Sequence, residues 1–547
     1  MASGLGLSVP RPGAYYRVMT DLIADPALDP TATYAVDPAE VRRLARRVVA
    51  GPGAETIQTR TPLTGAPLAT WPVSSRDDVV QAIRNARAAQ ARWAQLSVMA
   101  RGEVMLRFHD LMLAHQAGLL DAIQLESGKA RKHAFEEIAD TAVSARHYAR
   151  ASANYLREQR HLGVLPLLSQ PVEHHRPRGV VGIVSPWNYP LSLSISDAIP
   201  ALMAGNAVVL RPDIQAALTT LRAAELLHEA GLPDGVLEIV LGDGPTTGQA
   251  VVDLADYVSY TGSTATGRAV AVSAAQRLVG YSLELGGKNG LYVAADASVG
   301  RAVEGAIRSC FSSAGQLCIS TERVIVHKDI ADEFVPAFVK AVKDMKLGVD
   351  VGWGNDMGSL VGQRQLDTVT RHVEDALAKG ARLLAGGAAR PDLGPYVYEP
   401  TVLTDVTSAM ECRDSETFGP VVALYVVDSD EAAVNLINDT DYGLNASVWT
   451  RDVAKGRRLA ARVQTGTVNI NEGYGTAYAS AGAPMGGMKQ SGMGRRHGRE
   501  GILKYTESQT VAAQHLMGLG GLPGVPDEMF AKSMTLGLRA LKAFGLK

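Results

Sequence analysis

A cysteine, Cys318, stands in the segment Ala314-Gly315-Gln316-Leu317-Cys318-Ile319-Ser320, after a helix-like stretch and among small or polar neighbours. A thiol acts as a nucleophile through its thiolate, which needs a partly open, electropositive position such as a helix N-terminus. A glycine just ahead leaves room for a substrate. The opposing reading is a small core hydrophobe. A second candidate is Glu284 in Leu283-Glu284-Leu285-Gly286-Gly287-Lys288-Asn289. A carboxylate framed by leucines is costly to keep ionised, and desolvation lifts it towards the range of a general base. The alternative is a structural ion pair with a cation such as Lys288. Gly286 and Gly287 let backbone approach a flat ligand closely. A third is Asn188 in Ser185-Pro186-Trp187-Asn188-Tyr189-Pro190, directly after the apolar run 180–184. Ligands of open parallel sheets lie beyond the carboxyl ends of strands, so Asn188 is placed to offer an amide N–H to an oxyanion, or else to cap a turn. Finally, residues 259–268 set Gly262 and Ser263 between a strand and a helix, as free N–H donors for a phosphate or as a plain helix cap.

Elements must hold these groups. Apolar residues recur at three- and four-residue spacing over 77–126 and 130–156, which predicts long amphipathic helices without intervening strands. Then the texture alternates: strands at 180–185 and 207–210, helices at 195–204 and 219–230, with 236–241, 248–253 and 257–260 continuing the pattern. A second alternation follows, with strands at 289–293, 323–327, 401–403 and 421–427 and helices at 301–313 and 332–346. This predicts right-handedly wound parallel sheets. Residues 163–178 and 504–514 are short alternations able to pair as strands, within the chain or between subunits. Residues 1–55 read as an arm with one helix at 38–49. After 516 a Gly/Pro linker leads to a helix whose Phe530, Met534, Leu538 and Leu541 form one stripe, suited to docking on a subunit or to a membrane surface.

Composition narrows the function classes. The 547 residues carry 54 Lys+Arg against 56 Asp+Glu, a net charge of −2, so no basic field holds nucleic acid. The 3 cysteines, Cys310, Cys318 and Cys412, have no CxxC spacing, which argues against a disulfide framework or Cys-rich zinc site and for a reducing cytoplasm. No secretory signal surrounds Arg11 and Arg17, and no apolar run of about 18 residues predicts an integral membrane segment. His174 and His175 point to opposite sides of a strand and have no third ligand at a recognisable spacing, so no metal is expected.

Together with Ser415-Glu416-Thr417-Phe418-Gly419-Pro420 and the late segment 484–492, these motifs make residues 55–515 resemble the NAD(P)-dependent aldehyde dehydrogenase family. The character is most similar to its bacterial succinate-semialdehyde dehydrogenases. The resemblance implies an α/β fold of two Rossmann-like, doubly wound parallel-sheet domains plus a small β oligomerisation arm. It divides the chain into an arm (1–55), a cofactor-binding domain (56–162 and 179–284), a catalytic domain (285–495), the oligomerisation arm (163–178 and 496–516) and a linker with an amphipathic helix (517–547). A homodimer or homotetramer is implied.

By the same resemblance, Cys318 attacks a small aldehyde, and Asn188 with the Cys318 N–H holds the oxyanion. Hydride leaves to the nicotinamide, and Glu284 activates water against the thioester. Glu416 would hold the nicotinamide ribose, with Phe418 near the ring and Leu285 and Gly286 beside it. Gly262 and Ser263 would face the pyrophosphate, and Trp187 would lie beside the cofactor. Arg211-Pro212-Asp213-Ile214 departs from the family's Lys-Pro-Ser-Glu. Ile214 replaces the Glu that takes the adenosine 2′-hydroxyl and repels a 2′-phosphate, while Arg211 is a planar cation able to clasp phosphate. NADP is therefore expected, with NAD possible through Asp213, which could repel the phosphate or take the hydroxyl. The substrate implied is succinate semialdehyde, yet the position six before Cys318, where such enzymes often carry an arginine, is Ser312. Arg308, Ser313, Tyr474 and Ser480 are possible substitutes, and an uncharged aldehyde is the alternative. Glu284 argues against a CoA-acylating enzyme, and the retained Cys318, Glu284 and Asn188 argue against a non-catalytic scaffold. Cys310 reads as a core thiol or an oxidation partner of Cys318, and Cys412 as structural.

Overall fold

A computed structural model describes residues 34–163, 169–514 and 524–545. Most of the expected arm, 164–168 of the alternating segment and most of the Gly/Pro linker lie outside the described residues. The helical expectation over 77–156 resolves into Arg76–Trp93, Val98–Ala114, Gln116–Ser127 and Arg131–Tyr155, with no strand between them. Ser75 and Ser97 cap the first two, Ser75 in a reciprocal capping box with Asp78. Gly128, left-handed at φ 74°, ends the third. The helix expected over 38–49 stops at Ala45. Val48 bridges to Ile239 and the Val49 N–H donates to the Ile239 carbonyl, so pairing with a sheet edge takes over from the helical ladder.

Two large sheets follow. The first runs in the order Gly492–Met493, Gly280–Glu284, Tyr257–Thr261, Val180–Ser185, Ala207–Pro212, Leu237–Ile239. All neighbours are parallel except Gly492–Met493, which returns antiparallel against Glu284. The second runs Arg382–Ala385, Thr401–Thr404, Val421–Val427, Thr321–His327, Asn289–Val293, Asn445–Trp449, Thr467–Ile470, parallel throughout except at its first pair. The central strands read as unbroken apolar runs because helices cover both faces. Val181 and Ile183 enter one core with Phe108, Ile138 and Leu202, whereas Val180 and Val184 enter another with Val79 and Val251. A third sheet pairs Thr506–Gln514 with Ser169–Pro177 in full antiparallel register and adds Gln159–Arg160. The amphipathic helix at Asp527–Ala543 has no buried residue. Among the described residues, no helix is long and apolar enough to cross a membrane.

Close packing fixes the first sheet against its helices. A Cβ at Gly182 would stand 2.7 Å from Val251 Cγ1 and 2.8 Å from Ala255 Cβ, a distance that real methyl groups do not tolerate. Gly182→Ala is expected to cost about 1–3 kcal/mol through overpacking, read as a lower Tm with unchanged far-ultraviolet circular dichroism.

Candidate active site

The segments singled out in the first half of the chain leave the carboxyl ends of four adjacent parallel strands. Glu284 ends one strand and pairs with Thr261, which leads into Gly262 and Ser263; Ser185 pairs with Pro212, and Val184 with Tyr260. Those from the second half come from the opposite edge of the second sheet. Cys318 lies just before Thr321–His327, and Glu416 and Phe418 just before Val421–Val427. The two edges meet where the Asn188 Nδ2 donates to the Gln316 carbonyl at 3.0 Å.

Cys318 is half-buried and packs against an apolar cluster that includes Tyr189, Tyr474 and Tyr478. It sits at no helix N-terminus. A tight turn, Ser312–Gly315, precedes it, left-handed at Ser313 and Ala314 with φ 53° and 54°. Asn289 Nδ2 fixes the loop by donating to the Cys318 carbonyl at 2.8 Å and the Ser320 carbonyl at 2.7 Å. The electropositive setting expected for this thiol is not there: burial, then Glu416 and Glu284, push its pKa up to about 12. The thiol is protonated at neutral pH and needs a base.

Glu284 has that character. Burial raises its pKa to about 7 against the opposing pull of Arg496, Lys504 and Arg495, and its Oε1 is buried without a hydrogen-bond partner. The alternative pairing with Lys288 does not occur. Lys288 pairs instead with the buried Glu322 and donates to the Ser415 carbonyl at 2.9 Å.

Asn188 is buried and held by groups that sequence reasoning missed. Lys129 Nζ donates to the Asn188 carbonyl and to Glu137 Oε1, each at 2.7 Å. Glu137 Oε2 accepts the Leu191 and Ser192 N–H groups at 2.8 and 3.1 Å. Both Lys129 and Glu137 are buried, and burial pushes the lysine down and the carboxyl up, with each partner opposing the other's shift. Their mutual contact, with the Asn188 carbonyl on the lysine and two backbone N–H groups on the carboxylate, makes their burial tolerable. Neither residue has a local sequence signal, since the partners join the start of one helix to a loop some 60 residues on.

The cofactor candidates form a cradle between the edges. Glu416 Oε1 accepts the Gly287 N–H at 2.9 Å, and a Cβ on Gly286 would run into its carboxylate. Burial and Glu322 raise Glu416 to about 8. Glu322 accepts the Thr417 and Phe418 N–H groups at 3.0 Å, fixing the turn in which Phe418 is left-handed at φ 52° and meets Trp187 edge-on, centroids 5.7 Å apart. The Gly262 N–H donates to the Glu284 carbonyl at 3.1 Å, Ser263 caps the helix Thr264–Gln276, and Leu285 packs against Gly267 on that helix. The Gly262 N–H is therefore not a free donor for a phosphate, and Ser263 takes the helix-cap reading; a glycine-walled slot, an aromatic pair and a capped helix start still fit a dinucleotide. At Arg211 two of the five guanidinium donors are already engaged: its Nε and Nη2 donate to the Gly242 carbonyl at 3.1 and 2.6 Å. Asp213 Oδ1 accepts the Gln215 N–H at 3.0 Å, and Ile214 packs against the cluster around Leu63 and Trp71.

Behind Tyr474 lies a cavity of about 650 Å3 whose lining includes Lys132, His133, Glu136, Arg308, Ser312 and Glu472. Arg308 lies over the Tyr474 ring and 3.3 and 3.8 Å from Glu136 and Glu472, while the Tyr474 hydroxyl donates to Glu136. Ser312 Oγ donates to the Arg308 carbonyl at 2.7 Å, and Ser313 Oγ bonds the Tyr189 hydroxyl at 2.9 Å. Ser480 is spent on the Thr476 carbonyl at 2.6 Å. Cys310 and Cys412 are buried free thiols.

The buried Lys129–Glu137 pair makes a direct prediction. Lys129→Met leaves Glu137 without its cation and is expected to destabilise the chain by about 3–5 kcal/mol, whereas the double variant Lys129→Met/Glu137→Leu recovers part of that loss, the Leu191 and Ser192 N–H groups having lost their acceptor. Tm values of the single and double variants check it.

Comparison with known proteins places this geometry. The profile of the aldehyde dehydrogenase family matches residues 49–511. A Mycobacterium ulcerans protein, provisionally named succinate-semialdehyde dehydrogenase (NADP(+)) 2, is 52% identical over 471 residues, which is 86% of this chain and 91% of its own. A solved Escherichia coli NADP-dependent enzyme superposes with a TM-score of 0.82 at 31% identity, covering 86% of this chain and 99% of its own. The NAD+ complex of a Bacillus cereus aldehyde dehydrogenase gives 0.81 at 33% identity, covering 88% and 99%. With that match running through both sheets and the loops between them, the chain belongs to the aldehyde dehydrogenase family.

Proposed function

We propose that the chain oxidises succinate semialdehyde to succinate with NADP, using Cys318 as nucleophile, Asn188 as oxyanion donor and Glu284 as base. The observation that carries the chemistry is the unpartnered Oε1 of Glu284, a carboxyl titrating near neutrality whose charge acts on the Cys318 thiol. Substrate and cofactor rest on the name of the 52%-identical relative and on Ile214, which carries no carboxylate against a 2′-phosphate. A bound NADP, held by Glu416, Phe418, Trp187, Leu285, Gly286, Gly262 and Ser263, supplies the hydride acceptor.

The chain's own groups do the rest. Glu284 takes the thiol proton, and Cys318 Sγ adds to the aldehyde carbon. One N–H of the Asn188 amide is engaged by Gln316, which leaves the other for the oxyanion, together with the Cys318 N–H. After oxidation Cys318 carries a thioester. Having passed the thiol proton to solvent, Glu284 takes a proton from the attacking water and returns it to the Cys318 sulfur as the acid departs, which restores the thiol. Three free cysteines suit a reducing cytoplasm, and the exposed strand Thr506–Gln514 suits pairing in a homodimer or homotetramer.

A second reading, an uncharged aldehyde, is favoured by one feature: Arg308 already stands between Glu136 and Glu472. Reduced-nicotinamide absorbance separates the two. With Cys318→Ala as the inactive control, succinate semialdehyde is expected to exceed butanal in kcat/KM, and NADP to exceed NAD. A preference for butanal would overturn the substrate assignment, and a preference for NAD the cofactor assignment. The pH profile tests the base. A carboxyl raised to about 7 is protonated below that pH and cannot accept a proton. Accordingly kcat is expected to fall about tenfold per unit below pH 7 and to level off above it, and Glu284→Gln to remove the rising limb.

A further inference from the structure

The loop that presents Cys318 begins with a costly conformation. Ser313 and Ala314 are consecutive non-glycine residues in the left-handed region, at φ 53° and ψ 32° and at φ 54° and ψ 36°. A side chain with a Cβ adopts that geometry only when its surroundings impose it. Both residues are buried, and next to them a Cβ at Gly315 would collide with the Gly419 carbonyl, so the turn cannot slide outwards.

What imposes the turn comes from far away in the chain. His133, in the first turn of Arg131–Tyr155, accepts the Ser313 N–H on its Nδ1 at 3.1 Å. Gln316 closes the far side, its backbone and side-chain N–H groups both donating to the Ser313 carbonyl at 3.1 and 3.2 Å. The carbonyl of that same Gln316 receives the Asn188 amide. An imidazole accepting on Nδ1 is neutral and carries its proton on Nε2. Burial, with Lys132, Lys129 and Arg308 nearby, keeps it so by pushing its pKa down to about 3.

We propose that His133 is a positioning residue for the nucleophile: by holding the Ser313 N–H it locks the left-handed Ser313–Ala314 turn, and so sets where Cys318 Sγ stands relative to the Asn188 amide. Its hydrogen bond goes to the Ser313 backbone, five residues ahead of Cys318. The inference rests on the reading of Cys318 as nucleophile.

The test uses the full chain with His133→Asn, whose Oδ1 can replace Nδ1 as acceptor, and His133→Leu, which removes the acceptor. Two readouts are taken: kcat and KM with succinate semialdehyde and NADP, and the rate at which iodoacetamide alkylates Cys318, followed on the Cys318 peptide by mass spectrometry. His133→Leu is expected to lower kcat by at least about tenfold, as a misplaced reacting group does, with KM for NADP unchanged and the alkylation rate altered severalfold. His133→Asn is expected to restore both readouts to within about threefold of the native chain. Adding Ala314→Gly to His133→Leu, which relieves one left-handed residue, is expected to recover part of the lost kcat. Native kcat and alkylation in His133→Leu, or equal losses in the Asn and Leu variants, would overturn the proposal. If His133→Leu does not fold, His133→Gln replaces it: its acceptor lies one bond further out, so kcat kept with Asn and lost with Gln supports the assignment, and equal values refute it. Turnover surviving in Cys318→Ser would sink the nucleophile reading alone, since alkylation reports the loop without turnover.

Discussion

The hydrogen bond from Asn188 to the Gln316 carbonyl joins the carboxyl edge of one sheet to the amino edge of another. Parallel sheets collect loops at their edges, and here two such collections face each other. One brings Trp187, Asn188, Gly262 and Glu284; the other brings Cys318, Glu416 and Phe418. Each side is braced from behind. Lys129 and Glu137 fix the Asn188 loop, while Asn289 and Glu322 fix the backbone of Cys318 and of the Thr417–Phe418 turn. The geometry at the thiol depends on that joint, because no single sheet carries both Cys318, the proposed nucleophile, and Asn188, its proposed oxyanion donor.

Buried carboxylates in this junction fall into two kinds, and the contrast separates scaffold from chemistry. Glu137 has a lysine and two backbone N–H donors, and Glu322 has Lys288 and the N–H groups of Thr417 and Phe418. Those charges are compensated and serve structure. Glu284 has cations within electrostatic reach, yet its Oε1 has no hydrogen-bond partner, and burial holds it near neutrality. Such an oxygen is open to a proton from water or from a neighbouring thiol. Glu416 lies between the two kinds, with one backbone donor and a raised pKa.

Much of this was legible in the residues. Unbroken apolar runs such as 180–184 and 290–293 mark strands buried on both faces, and the chemistry-bearing segments follow directly from their ends or precede the next ones. What was hidden is long-range. Lys129, Glu137, His133 and Glu322 carry no local signature, because they hold backbone groups of distant loops, at Asn188, Leu191, Ser313 and Thr417, and those contacts exist only once the chain has folded. Arg211 shows the same limit in reverse. Its type suggests a phosphate clasp, but the Gly242 carbonyl from a neighbouring strand end claims two of its donors. The helix expected to run to residue 49 ends at Ala45 for a similar reason, since Val48 and Val49 find a strand to pair with.

The central claim, that Cys318 carries the acyl group and Glu284 releases it, is tested most directly by mass spectrometry of Glu284→Gln after incubation with succinate semialdehyde and NADP. The account predicts no more than one equivalent of reduced cofactor per chain, formed slowly because the Cys318 thiol has lost its base as well, and a persistent acyl adduct on the Cys318 peptide. Sustained turnover in that variant, or an adduct on Cys310 or on no cysteine at all, would contradict it.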